Sequence, residues 1–303
     1  MIKSAVLPLE SYRLAEYAVP VACYVCGEQN HFDAEYCRLC SAPMALAHQL
    51  PENKVEPRIV LVLGPSGVGK TVYLGMLIDM LSRQPQRVQL LARGAFSIAV
   101  QQTTVAALAK GRFPGKTPNE PDRWHWVHCQ LRRRRRRVAA DLILPDMAGE
   151  AILQEAEHPN TYHIIRSLLK RCSSAMLLVD SVRLRNGNRQ DEFFAMKLAS
   201  CLSESAGDPQ HGWNRKPLAL VFTKADQCEE CLENPEEFAA THAGGLFRLI
   251  HERFPLRGIF ASTVAGACAW RVTADGIREH VPLRIEPHGI VEPFLWLLER
   301  MRI

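Results

Sequence analysis

The sequence predicts an α/β fold: a mostly parallel sheet with helices on both faces and one antiparallel hairpin strand, preceded by a small cysteine-rich module. Three observations carry that expectation. The apolar run Ile59 to Leu63 opens into the turn Gly64-Pro-Ser-Gly-Val-Gly-Lys-Thr71 and then into the helix-forming stretch Tyr73 to Leu81. Two further apolar runs, Ala175 to Val179 and Leu218 to Phe222, are short enough to be buried strands. Ahead of all three, Cys23/Cys26 and Cys37/Cys40 form two C-x-x-C pairs ten residues apart.

At 303 residues with 47% apolar content the chain supports a real core. Met1 to Pro8 lacks the apolar region and cleavage site of a signal peptide, and no apolar run approaches ~18 residues. A soluble, cytoplasmic protein without a transmembrane segment is expected. The formal net charge of +5 owes everything to one run, Arg132 to Arg137; without those six arginines it would be −1. General basicity therefore does not argue for nucleic acid, which stays a disfavoured partner.

The expected organisation is an N-terminal extension (1–18), a Cys₄ module (19–50), a linker (51–57) and one large domain (58–303). In a reducing compartment the two knuckles read as metal ligands rather than disulfides. Two tight turns, each offering a pair of thiolates, complete a tetrahedral zinc site at Cys23, Cys26, Cys37 and Cys40, and a module this short needs such a staple. The spacing resembles RanBP2-type and related short zinc ribbons. Val21 stands where that type carries tryptophan, so its RNA or ubiquitin binding is not carried over. A closed structural zinc and a docking knob are the expectation.

In the large domain, Gly64, Gly69, Lys70 and Thr71 fit the G-x-x-x-x-G-K-[ST] phosphate loop. Gly64 to Gly69 form the cradle segment, with the backbone N–H groups of Gly64, Ser66, Gly67, Val68 and Gly69 as donors and Pro65 shaping the turn, and the next helix turns its positive end to the anion. Lys70 is placed to reach the β- and γ-phosphates and Thr71 to coordinate Mg²⁺. An extra helix is expected over Ala95 to Lys110, then a loop, Gly111 to Pro118. Trp124 to Leu131 and Val138 to Leu144 read as a hairpin whose second strand ends at Asp146. Asp146 can hold the Mg²⁺ shell, and the Gly149 N–H can sense the γ-phosphate.

The strand Leu218 to Phe222 runs into Thr223-Lys224-Ala225-Asp226. A carboxylate at Asp226 accepts from both N1–H and N2–H₂ of guanine, whereas adenine would leave it unpaired. Lys224 can cover the base, and Ser262 and Thr263, after Gly258 to Ala261 as a last strand, can offer N–H groups to guanine O6. Val291 to Met301 closes the chain as an amphipathic helix.

Taken in order, Gly64 to Thr71, Asp146 to Gly149, Thr223 to Asp226 and Ser262 resemble the Ras-like GTPases of the translation-factor-related class. Asp146-Met-Ala-Gly-Glu150 and Pro287-His-Gly-Ile-Val-Glu-Pro293 look like the bacterial double-GTPase group linked to conflict and signalling systems. The resemblance implies GTP/GDP and Mg²⁺ as ligands, Lys70, Thr117, Gly149 and Glu150 at the reaction centre, and a nucleotide-dependent switch. Thr117 is the switch I candidate, with Thr103 and Thr104 as alternatives. Thr223 replaces the usual Asn, and Glu150 replaces the glutamine that orients water, so slow hydrolysis or an arginine-supplying partner is expected. The implied partner is a protein: an activator, an effector or a second GTPase subunit. Two other readings stand beside this one: an ATP-driven enzyme or motor with a chance Thr223–Asp226 match, and a non-hydrolysing GTP-bound scaffold docking through its ribbon.

Other features read as structural. The arginine run is expected at a solvated hairpin turn, opposite the site, and Trp124 and Trp126 as one packed face. Cys228 and Cys231 read as a coincidence in a surface loop, with a redox pair or a metal site completed by His211 or His242 as the alternatives. Cys129, Cys172, Cys201 and Cys268 read as small core residues.

Overall fold

The structure is a computed structural model that describes residues 20–49, 57–83, 88–121, 124–133, 136–205, 216–272 and 275–303, with side chains at 96 and 136–139 excepted. The extension 1–18, most of the linker, Arg134, Arg135 and His211 lie outside the described residues.

The ribbon comprises β1 (Val21–Ala22), β2 (Gln29–Asn30) and the short helix α1 (Ala45–Gln49). The large domain follows as β3 (Arg58–Leu63), α2 (Lys70–Arg83), β4 (Val88–Arg93), α3 (Gly94–Ala109), β5 (His125–Arg133) and β6 (Arg136–Asp146). Next come α4 (Gly149–Glu157), α5 (His163–Arg171), β7 (Ser174–Asp180), α6 (Ser181–Arg185), α7 (Arg189–Glu204) and β8 (Leu218–Thr223). The last elements are α8 (Glu229–Glu233), α9 (Pro235–His242), α10 (Gly244–Arg253), β9 (Arg257–Ala261), β10 (Thr263–Val272), β11 (Arg278–His288) and α11 (Val291–Arg300).

Seven strands form the main sheet in the order β4-β5-β6-β3-β7-β8-β9. Every neighbouring pair from β6 to β9 is parallel; β5 alone runs against the rest, antiparallel to both β4 and β6. From β3 the chain crosses to the sheet edge at β4, returns through β5 to β6 on one side of β3, and then passes to β7 on its other side, so the topological switch point falls at the carboxyl end of β3, where crevices open in such sheets. That end is Leu63, immediately before the Gly-rich turn.

Alternation along β3 sorts the two cores. Ile59, Leu61 and Leu63 face one layer with α4, α5, α7 and α10, while Val60 and Val62 face the other with α2, α3 and α11. The ribbon joins the first layer: Cys23, Tyr24, Val25 and Met44 share one apolar cluster with Trp124, Trp126 and Ile164. Tyr24 meets Trp126 edge-on at 6.0 Å between centroids. Trp124 and Trp126 thus lie on one packed face, and it is the face the ribbon covers.

Two parts of the fold depart from expectation. A strand, β4, precedes the extra helix; Val88, Leu90 and Ala92 alternate as its inner residues, but the segment is too short and mixed to stand out. The strand Gly258 to Ala261 is not the last, because β10 and β11 pair as a separate two-stranded antiparallel sheet between it and α11. Register shifts between Thr263 and Cys268 bend this hairpin, and its exposed Trp270, Val272 and Ile277 blur the alternation that would mark it. No helix among the described residues is long and apolar enough to cross a membrane.

Candidate functional site

The turn after β3 is shaped by backbone that side chains rarely tolerate. Gly64, Gly67 and Gly69 have φ of +153°, +76° and +99°. A Cβ on Gly64 would lie 2.5 Å from the Leu178 carbonyl of β7, so the close approach of turn to sheet also demands glycine. Lys70 opens α2, is buried, and donates through Nζ to the carbonyls of Gly64 (3.0 Å) and Pro65 (3.1 Å). Burial pulls its ammonium down to about 8 against the charges of Asp146 and Glu150, which raise it.

Beside Lys70 three oxygens converge from three elements. The Thr71 hydroxyl donates to Asp146 Oδ2 at 2.7 Å, the Thr117 hydroxyl lies 3.0 Å from that of Thr71, and Thr117 also reaches Asp146 Oδ2 at 3.3 Å. Thr103 and Thr104 are elsewhere, on α3, with Thr104 buried against Gly75. Asp146 is buried, its Oδ1 has no hydrogen-bond partner, and burial pushes its carboxyl up while the Thr71 bond and the Lys70 charge pull it down. Two hydroxyls and an orphaned carboxylate oxygen are hard donors that suit Mg²⁺.

Gly149 packs against the turn itself, and Glu150 follows in the first turn of α4, half-buried at the edge of the same cavity. At the far end, Thr223 donates to the Val68 carbonyl at 2.9 Å, tying the end of β8 to the turn. Lys224 adopts the left-handed conformation (φ +58°) and its Nζ pairs with Asp180 Oδ2 at 2.6 Å. Asp226 accepts from the Thr263 hydroxyl at 2.5 Å. Ser262 is locked by backbone bonds from its N–H to Phe222 and from Ala225 to its carbonyl.

These groups line one cavity of about 300 Å³, running from Gly149 and Thr117 to Asp226 and Thr263. Asp146 is not itself in the lining but accepts from Thr71, which is. The cavity also takes residues that sequence reasoning missed: Phe113 of the Gly111–Pro118 loop, Gln227, and Val264, Ala265, Cys268 and His280 of the β10–β11 hairpin. The hairpin had no motif to mark it; Asp180, too, had only its place after a buried strand run.

In the ribbon, the sulfurs of Cys23, Cys26, Cys37 and Cys40 all lie within 4.8 Å of one another, with Cys23–Cys40 at 3.7 Å and Cys26–Cys37 at 3.5 Å. A zinc ion with bonds of about 2.3 Å needs edges of about 3.8 Å, and the four thiols fit it. The Cys40 thiol bonds Cys23 and lowers its pKa, while Val25 N–H and Asn30 Nδ2 donate to Cys23 and Cys37. All four thiols are free of disulfides.

Several structural readings are corrected. Cys228 and Cys231 are buried in the main core, not in a surface loop, because the turn after Asp226 folds back under α9. His242 pairs with Glu230 there, and the four ribbon cysteines form the one metal-capable cluster among the described residues. Cys268 is half-buried on the cavity wall rather than in a core, since β10 stands outside the main sheet. Of the arginine run, Arg133 pairs with Arg136 at one end of β5–β6, while His125 pairs with Asp146 at the other, roughly 30 Å away along the strands.

A Gly-rich turn of the phosphate-loop pattern at the switch point of a mostly parallel sheet, with a threonine–aspartate cluster beside it and a strand-end aspartate at the far end of one cavity, is the arrangement of a P-loop α/β domain. Residues 58–258 match the Double-GTPase 2 family, and the chain belongs to that family. The match starts at β3 and ends within β9, so the ribbon, the β10–β11 hairpin and α11 lie outside it. Among solved structures, the chain is similar to the Arl6 BBS3 small GTPase from Trypanosoma brucei with bound nucleotide analogue GppNp. That likeness covers 81% of this chain and 98% of that one, at 16% identity and a TM-score of 0.41. No curated protein matches the chain.

Proposed function

We propose that this protein binds Mg·GTP in the cavity between Gly149 and Asp226, hydrolyses it slowly, and reports the γ-phosphate to a protein partner. The observation that carries this reading is the Thr71–Thr117–Asp146 cluster beside Lys70, with its unpartnered buried Oδ1. Thr71 and Thr117 would give Mg²⁺ direct hydroxyl ligands, and Asp146 would hold the shell. The metal's contribution is to draw charge from the β- and γ-phosphates. The chain's own work is positional: Lys70 gives up its two loop carbonyls for phosphate oxygens, the Gly149 N–H faces the γ-phosphate, and Asp226 exchanges Thr263 for the guanine edge. Glu150 accepts from the attacking water but has no hydrogen for the phosphate, so turnover is slow until a partner adds a cation, such as an arginine.

We infer further that 19–50 is a zinc ribbon docked on a GTPase domain spanning 58–303, in a cytoplasmic signalling or conflict system. The test is binding of fluorescent GTP and ATP analogues with Mg²⁺ to the wild type and to Asp226→Ala. A GTP preference of orders of magnitude, lost in the variant, is expected. Equal binding of ATP, or an unchanged preference in Asp226→Ala, overturns the guanine reading in favour of an ATP-driven protein.

A further inference from the structure

The β10–β11 hairpin lies outside the family match and no motif assigns it a role, yet it walls the cavity. Val264, Ala265 and Cys268 of β10 and His280 of β11 all line it. The register places Trp270 opposite His280 and Cys268 opposite Pro282, so these four side chains share one face of the hairpin, and Cys268 and His280 on that face line the cavity while Trp270 is exposed beyond it. Cys268 lies at the Asp226 and Lys224 end, close enough for both charges to act on its thiol.

From the other side, the loop carrying Thr117 meets the same face. Phe113 stacks on the His280 ring, 6.1 Å between centroids and 21° between planes, and both residues line the cavity. Trp270 packs on His280 at 5.1 Å, and the Pro282 carbonyl is 3.7 Å from where a Cβ of Gly111 would sit. The base end is anchored as well, since Thr263, the first residue of β10, bonds both Asp226 and the Ala265 carbonyl. The hairpin therefore runs from the Asp226 end of the cavity to the loop that carries Thr117.

We propose that the hairpin is a clasp over the base and ribose of the bound guanine nucleotide, latched to the switch loop by the Phe113–His280 stack, with His280 a nucleotide-contacting residue. The proposal rests on the reading of the cavity as a guanine-nucleotide site. A nucleotide leaving the site has to part Phe113 from His280, so the latch sets the dissociation rate. Movement of the Thr117 loop with the γ-phosphate is passed through the same ring pair to Trp270 at the outer end of the hairpin.

The test follows release of a fluorescent GDP analogue, with Mg²⁺, from the full chain loaded with zinc. His280→Ala and Phe113→Ala each release it about tenfold faster, the double variant adds little to either, and Leu283→Ala, exposed on the same strand, matches the wild type. Independently, alkylation of Cys268 in the wild type, followed by peptide mass spectrometry, slows several-fold when GDP is bound. Unchanged release from both ring variants, or Cys268 labelled as fast with GDP as without, overturns the clasp while guanine binding itself stands. A wild type that holds no guanine nucleotide overturns the site and the clasp together.

Discussion

Gly149 has no room for a methyl group. A Cβ there would fall 2.4 Å from Ser66 N and 2.6 Å from the Pro65 carbonyl carbon, all backbone, so nothing can swing aside. Gly149→Ala is expected to push the phosphate loop and α4 apart. GTP affinity by titration should fall about tenfold or more, with melting lowered by the roughly 1–3 kcal/mol of an overpacked site. Thr117→Ala acts differently, because the residue sits in a loop and its loss leaves no cavity. The expected outcome is about tenfold weaker Mg·GTP binding with GDP within twofold, measured by competition against a fluorescent nucleotide. If both nucleotides weaken alike, Thr117 is not the γ-phosphate-sensing hydroxyl. The residue types of the phosphate loop were legible because their spacing is local; Thr117 was the candidate ahead of Thr103 and Thr104, and its place beside Asp146 is a contact between distant segments that only the fold shows.

Among the elements, the ribbon carries the clearest consequence. Tyr24 packs edge-on against Trp126, Val25 and Met44 share the same apolar cluster, and the four cysteines lie together in the turns that present them. Removing zinc with a chelator should unfold the ribbon and wet the Trp126 face. The expected readouts are a red-shifted tryptophan emission and a lower melting temperature of the large domain, both reversed by added Zn²⁺. A Cys23→Ser/Cys26→Ser variant should behave the same way without chelator. Trp124 extends the connection, since its Nε1 donates to the Pro118 carbonyl, one residue beyond Thr117. The C-x-x-C pairs announced the ribbon in sequence, whereas its seat on β5 is a contact between segments about a hundred residues apart. The β10–β11 hairpin was illegible for a different reason: two strands without a sheet behind them keep exposed apolar residues such as Trp270 and Val272, and the period-2 signal fades.

For the whole molecule, the cavity gathers residues from Ser66, in the turn after β3, to Ile290, just before α11, so a ligand that fills it should stabilise the entire domain. At a hundredfold excess over Kd the gain is about 2.7 kcal/mol. For a domain of this size that is a rise of roughly 5–10 °C in melting temperature, expected with Mg·GTP and absent with Mg·ATP. Equal shifts with both nucleotides would remove the case for Asp226 as a guanine reader. By itself the sequence determined the α/β class, the phosphate loop, the strand-end Asp146 and Asp226 and the four zinc-type cysteines, because each depends on residues close together along the chain. Only the tertiary structure decided that β4 takes the sheet edge beside β5, that the ribbon seats on Trp126, and that a hairpin reaches along the cavity to Phe113. Those are juxtapositions of distant segments, set by strand order and by which faces must be buried, and no local spacing encodes them.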